Sequence, residues 1–225
     1  EGNITLGLMQ ELVPNQGDAW KFMLEEVDRI FENLSYRKIK IDKLPEVELF
    51  SRLRLNDIPH EIIDWAGLKI FLRIRTMATR TAEMHIALGS DIHETAFTPI
   101  TYNSDYSVWL KNRLTYQFQN RLNILENNLH KLDGLALELA NQFLDQKKNI
   151  RKIFLDFDWT KMKSERIRIH GDYHLGQVLV NGEDFFILDF EGEPESTISD
   201  RKVKQPPLKD VAGIFRSFHY AIYAN

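Results

Sequence analysis

Arg166-Ile-Arg-Ile-His-Gly-Asp-Tyr-His-Leu-Gly-Gln-Val-Leu-Val-Asn-Gly-Glu-Asp-Phe-Phe-Ile-Leu-Asp-Phe-Glu-Gly-Glu-Pro194 is the stretch on which the fold turns. It predicts a short strand, a polar loop, a second strand, an Asn181-Gly182 turn, a third strand and an acidic loop. The strand expectations rest on β-branched and aromatic runs, and Asn-Gly is the strongest short hairpin signal. A hairpin here folds Asp172, Gln177 and Asp189 toward one another, although the outer two are 17 positions apart.

Outward from this stretch the pattern is helical. Asp18 is a candidate N-cap for a helix whose apolar side is Trp20, Met23, Leu24, Val27, Ile30, Phe31 and Leu34. Core packing is the expected use of that stripe. Residues 35–59 read as a surface excursion with a basic flavour. From His60 to Leu88 the spacing predicts one long helix, or two joined near Gly67, with His85 on the apolar side as a hydrogen-bonded core histidine. Helices are predicted over about 105–128, 132–150 and 210–224, the last with Val211, Ile214, Phe215, Phe218 and Ile222 inward. A linker runs through 154–164. Ile4 to Leu12 reads as a buried strand, stopped by Val13-Pro14-Asn15-Gln16-Gly17. The fold class expected is α+β, mostly helical, with no repeat and no linker that marks a domain boundary.

Composition bounds the function. The chain has 225 residues, 43% apolar and 28% charged, as in an ordinary globular protein. Its net charge of −4 argues against a nucleic-acid or anionic-membrane partner. With no cysteine, disulfides, thiolate metal sites and a cysteine nucleophile are excluded. No apolar run approaches the ~20 residues that span a bilayer, and no signal-peptide pattern opens the chain. A cytoplasmic location is the expectation. The start at Glu1-Gly2-Asn3, without an initiator Met, is what a piece of a longer polypeptide would show.

The chemistry-bearing residues lie in the opening stretch. Asp172 follows Gly171 at a strand end, where a loop carboxylate can accept a proton or align a hydroxyl. Asp189 closes the next hairpin and suits a Mg²⁺ ion bridging two phosphates, with the neutral oxygen of Gln177 completing the set. Two carboxylates and an amide gathered this way are what phosphoryl transfer from ATP requires. His170 and His174, four apart, have a spacing used for zinc on a helix. Gly171-Asp172 between them reads as loop, so the expectation for His170 is a structural role through backbone hydrogen bonds.

His-Gly-Asp-Xaa-His-Xaa-Gly at 170–176, with Asp189 on the next hairpin, resembles the aminoglycoside phosphotransferase-like kinases, relatives of the protein kinases. That group commonly has Asn where Gln177 stands. Gln177, the Asp-Phe-Glu-Gly-Glu-Pro at 189–194, the block at 207–221 and the Leu6 to Asn15 segment are similar to the maltokinases, which are often fused behind a trehalose synthase domain. The resemblance implies the C-terminal lobe of a protein-kinase-like fold: residues 1–17 as hinge strand and linker from an N-terminal lobe, and 18–225 as the helical lobe with its catalytic hairpin at 166–194.

It further implies ATP and Mg²⁺ as cofactors and phosphorylation of maltose to maltose 1-phosphate. Asp172 would be the catalytic carboxylate, with Gln177 and Asp189 as the metal ligands. The backbone of Gln10, Glu11 and Leu12 would meet adenine, and Asp18 the ribose. Glu191 and Glu193 either shape the acceptor site or serve a structural or electrostatic role. Arg216 and Tyr220, four apart on one helix face, either meet sugar hydroxyls or form an Arg–carboxylate tie beside a packed Tyr. The resemblance places the nucleotide-clamping loop and its Lys upstream, so the isolated piece is expected to bind nucleotide poorly and not to turn over. Two alternatives stand beside this: an aminoglycoside- or choline-type phosphotransferase, and a non-catalytic module regulating a trehalose synthase.

Overall fold

The computed structural model describes residues 9–38 and 54–224, which form a mostly helical α+β arrangement with two small antiparallel sheets. The chain divides into two compact units, Glu1–Pro99 with Ile167–Asn225, and Ile100–Arg166. The uninterrupted pattern from 18 to 225 did not mark this division.

In the first unit, helix α1 (Ala19–Tyr36) starts where Asp18 Oδ1 accepts the Lys21 N–H at 2.8 Å. That satisfies one of the orphan donors every helix start leaves. Met23 and Val27 of the predicted stripe are buried, while Phe31 stays 43% exposed. Helix α2 (His60–Ala66) and helix α3 (Leu68–Leu88) are separated at Gly67, whose φ of 83° no helix accommodates. The terminal carbonyls of α2 accept bonds from α1: Arg29 Nη2 reaches Ala66 O at 2.7 Å and Asn33 Nδ2 reaches Trp65 O at 3.2 Å.

Strands β3 (Val178–Asn181) and β4 (Asp184–Ile187) make the predicted hairpin, in the register Val178↔Ile187 to Asn181↔Asp184. The turn is Gly182-Glu183, one residue later than expected. Asn181 keeps its place in the ladder, and Gly182 takes the positive φ of 58°. Its tip is gripped from three sides: Arg73 Nη2 donates to Gly182 O, Arg80 forms a bidentate pair with Asp184 at 2.8 and 2.7 Å, and Gln16 Oε1 accepts Gly182 N–H at 2.7 Å. Val178, Val180 and Phe185 face the core with Ala19, Met23, Ile70 and Met77. Each such large side chain contributes about 1.5–3 kcal/mol by leaving water.

The predicted N-terminal strand needs correction. Residues 4–8 of it lie outside the described residues. Met9 to Asn15 has no regular structure, with Met9 96% and Leu12 85% exposed. The strand-like pairing comes later, where Gln16 N–H bonds Val180 O at 2.8 Å and Val180 N–H bonds Gly17 O at 2.9 Å. The backbone ladder of the hairpin edge decided this over the apolar run.

Helix α8 (Leu208–Tyr223) also departs from its apolar pattern. Its buried residues are Asp210, Ile214, Ser217 and Ala221, whereas Phe215 and Ile222 are 53% and 49% exposed. Those two line an apolar cavity of about 590 Å³ between α1, α3 and α8, with Met23, Phe31, Ile74 and Met77. Ahead of α8, the short helix α7 (Ile198–Arg201) is capped by Thr197.

In the second unit, β1 (Ile100–Thr101) pairs with β2 (Glu165–Arg166), and α4 (Ser104–Asn128) is capped by Asn103. The first strand expected in the opening stretch is therefore β2, which pairs with β1 and not within the hairpin's sheet; the next residue, Ile167, bonds Gln205 in the first unit. The helix predicted over 132–150 is two, α5 (Gly134–Asp145) and α6 (Lys147–Asp156). At Gln146 the N–H divides between the carbonyls of Gln142 and Phe143, closing one helix before the next opens. Both pieces pack on Phe118, whose ring lies 6.4 Å from Phe143 and 5.6 Å from Phe154. The linker expected from 154 thus starts inside α6. No helix among the described residues is long and apolar enough to cross a membrane.

Candidate active site

The loop from His170 to His174 is held by one buried carboxylate. Asp210, 2% exposed in the first turn of α8, accepts His170 N–H on Oδ2 and Gly171 N–H on Oδ1, both at 2.9 Å. His85 Nε2 donates to the same Oδ2 at 3.0 Å, so His85 is the hydrogen-bonded core histidine expected. Hydrogen bonds to a charged group are worth about 1.5–3 kcal/mol each, enough to define a loop. Gly171 has φ of 89°, and a Cβ there would lie 3.1 Å from Gly192 Cα. Both the dihedral and the space call for glycine.

His170 is completely buried and structural, as expected. Its Nε2 donates to Leu188 O at 2.7 Å, which leaves Nδ1 to accept the Asp172 N–H at 3.4 Å. With both ring nitrogens engaged, it has none for zinc. Among the described residues no group of three or more His, Cys, Asp or Glu could hold a metal. Tyr173, buried behind the loop, donates its hydroxyl to Thr81 Oγ1 at 2.8 Å, since Thr81 spends its own hydrogen on Met77 O. Burial pushes the Tyr173 phenol above its ordinary range.

Helix α8 supports the same loop twice more. Ser217 Oγ accepts the Leu175 N–H at 3.0 Å, and a Cβ on Gly213 would lie 2.6 Å from Tyr173 O. Asp210, Gly213 and Ser217 are spaced 0, +3 and +7, one face of the helix. Sequence reasoning missed this face because two of its members are polar. The signal that could have found it is an acidic residue, a glycine and a serine recurring at helical spacing beside an apolar stripe.

Asp172 is half-buried on the wall of a cavity of about 680 Å³. Asp18, Glu193, Arg216 and Tyr220 share that wall, so five of the predicted site residues come together there. Arg216 and Tyr220 bond each other, Nε to Oη at 2.7 Å, with the guanidinium 5.0 Å from the ring. Both are exposed, so the alternative of a packed Tyr does not hold.

Gln177 and Asp189 form a second grouping, Gln177 Nε2 donating to Asp189 Oδ2 at 3.0 Å. The turn Leu175–Gln177 presents one, and the left-handed backbone of Asp189, φ 61°, presents the other. Their geometry leaves Gln177 Oε1 and Asp189 Oδ1 as hard oxygen donors, which fits Mg²⁺. Glu191 lies apart from the cavity, exposed and 3.8 Å from Arg201. Gln10, Glu11 and Leu12 are exposed and line no part of the cavity. His174, Trp20 and Lys209 line it without having been predicted to.

No protein-family model matches the chain. Over 54 residues, 24% of the chain and 12% of the relative, it is 35% identical to a glucosamine kinase of Streptacidiphilus jiangxiensis. Over 56 residues, 24% of the chain and 14% of the relative, it is 43% identical to a glucosamine kinase of Mycolicibacterium smegmatis. Among solved structures, a glucosamine kinase in complex with glucosamine, ADP and inorganic phosphate superposes with a TM-score of 0.61 at 18% identity. That match covers 95% of this chain and 43% of the other. A second glucosamine kinase structure gives 0.59 at 19% identity, covering 93% and 38%. The chain thus has the fold of part of these kinases and spans less than half of their length.

Proposed function

We propose that this chain carries the metal- and acceptor-binding part of an ATP-dependent sugar kinase, the C-terminal lobe of a kinase-like fold. The observation that carries the reading is the catalytic loop: Asp172 on a cavity wall, with Gln177 and Asp189 joined at 3.0 Å where the hairpin returns. Asp172 aligns the acceptor hydroxyl and takes up its proton late in phosphoryl transfer. Gln177 Oε1 and Asp189 Oδ1 would hold Mg²⁺, which offsets the charge on the phosphates when bound. Asp210, through the backbone of His170 and Gly171, keeps the loop in place. The backbone of Gln10 to Leu12 would hold adenine, and Asp18 the ribose.

The acceptor proposed is an amino sugar such as glucosamine. The relatives compared above are glucosamine kinases, and Glu193 on the cavity wall suits an ammonium group. Maltose is the second reading, favoured by Gln177 and the Glu-Gly-Glu-Pro at 191–194. ADP release by the full-length polypeptide with glucosamine, maltose, an aminoglycoside and choline separates these. Turnover with glucosamine alone supports the first reading and turnover with maltose alone the second. No ADP release with any acceptor, together with retained Mg²⁺ binding, points to the non-catalytic module.

A further inference from the structure

Two histidines bracket Asp172. His170 holds its backbone, as described above, while His174 faces its side chain. His174 Nδ1 accepts the Gly176 N–H at 3.1 Å and so caps the turn Leu175–Gln177. A ring nitrogen that accepts carries no hydrogen, so the neutral ring bears its hydrogen on Nε2. That nitrogen lies 3.8 Å from Asp172 Oδ2, a little beyond hydrogen-bond length. Catalytic hydrogen bonds are often this long before substrate binds and tighten afterwards.

The ring has a built seat. A Cβ on Gly176 would lie 3.0 Å from His174 Cε1 and 3.1 Å from Nδ1, closer than side chains normally pack. Gly176 thus gives the imidazole both an N–H to cap and a bare surface to lie against. A ring so seated has one hydrogen left, on the nitrogen 3.8 Å from the carboxylate.

We propose that His174 is a positioning residue for Asp172, its Nε2–H held toward Oδ2 so that Oδ1 is left for the acceptor hydroxyl. The inference rests on the sugar-kinase reading. It gives Gly176 a specific task, which a generic loop glycine would not have.

The test has two arms. In the full-length kinase, His174→Asn keeps an acceptor for the Gly176 N–H but cannot reach Asp172. It is expected to lower kcat about 10- to 100-fold, the usual cost of a misaligned catalytic group, with KM for ATP within about twofold of wild type. Gly176→Ala, which displaces the ring, is expected to lower kcat comparably, and the double variant to be no worse than either single one. Wild-type kcat in His174→Asn would show that capping is the whole role and overturn the proposal.

The second arm needs no turnover. Long-range ¹H–¹⁵N correlation on this chain is expected to show His174 as the Nε2–H tautomer, with ring shifts that move in Asp172→Asn. A tautomer-averaged ring indifferent to that substitution overturns the proposal. If no sugar is phosphorylated by wild type while the ring signature is present, the sugar-kinase reading fails and the His174–Asp172 arrangement stands.

Discussion

Replacing Asp210 by Ala tests how the loop is held. The carboxylate is 2% exposed and accepts three hydrogen bonds, from His170 N and Gly171 N at 2.9 Å and from His85 Nε2 at 3.0 Å. Truncation leaves the His170 and Gly171 donors in the interior without acceptors, at about 1–3 kcal/mol each, and removes the His85 bond as well. The expected loss is about 3–5 kcal/mol, comparable with breaking a buried charged pair. Against a total stability of about 5–15 kcal/mol this is severe. Asp210→Asn keeps the volume and one acceptor oxygen but turns an NH₂ toward a donor, so its loss is expected near 2 kcal/mol. Urea denaturation followed at unchanged slope measures both, and hydrogen exchange at the His170 and Gly171 amides reads the bonds directly. A loss under about 1 kcal/mol in Asp210→Ala, with both amides as protected as in wild type, would refute the reasoning.

Other outcomes follow from the same geometry. Gly213→Ala sets a Cβ 2.6 Å from Tyr173 O, so α8 must shift; a destabilisation of about 1–3 kcal/mol is expected from denaturation midpoints. On the sugar-kinase proposal, Asp172→Ala in the full-length polypeptide is expected to lose nearly all turnover with nucleotide affinity barely changed, whereas Asp189→Asn should weaken Mg²⁺-dependent nucleotide binding. An unchanged Mg²⁺ titration in Asp189→Asn would count against the ligand role. Burial raises the Tyr106 phenol to about 12, and the Tyr173 phenol also lies high. Because the folded pKa exceeds the unfolded one, Tyr106 contributes stability that is complete below about pH 10 and lost as pH rises toward 12. Ultraviolet titration of the phenolate should show ionisation extending above the ordinary tyrosine range, and Tyr106→Phe should remove part of that late signal.

How far the fold could be read from the residues depended on how local each cause was. The hairpin was legible because alternating Val178, Val180 and Phe185 and a glycine at 182 state it within ten positions. Its turn was misplaced by one residue because Asn181 can sit either in the ladder or in the turn, and grips from Gln16 and Arg73 decide the matter. The closeness of Gln177 and Asp189 was legible for the same local reason, whereas Asp172 falls in a separate grouping on the cavity wall. The loop-holding face of α8 was not, since a buried Asp or Ser is recognisable only by the backbone it serves, here 39 to 42 positions away. The break at Gln146 carries neither Gly nor Pro to announce it. The supposed strand at Ile4 to Leu12 shows the converse, since an apolar run with no partner ladder over its described part is no strand there.

The grips on the hairpin tip also order events in time. Arg73 and Arg80 meet Gly182 and Asp184 across 109 and 104 positions, and Gln16 meets Gly182 across 166. Closing the longest of these loops costs about 4.5 kcal/mol by the (3/2)RT ln n rule, so none of them forms early. During synthesis α1 and α3 emerge long before β3, β4 and α8, with the faces of Met23, Ile70 and Met77 still uncovered. A nascent chain halted before the hairpin would therefore expose those surfaces to aggregation or chaperone capture. The segment proposed to do the chemistry is thus also one that covers the faces of α1 and α3, and α8 follows it to add Ile214 and Ala221 to the same core.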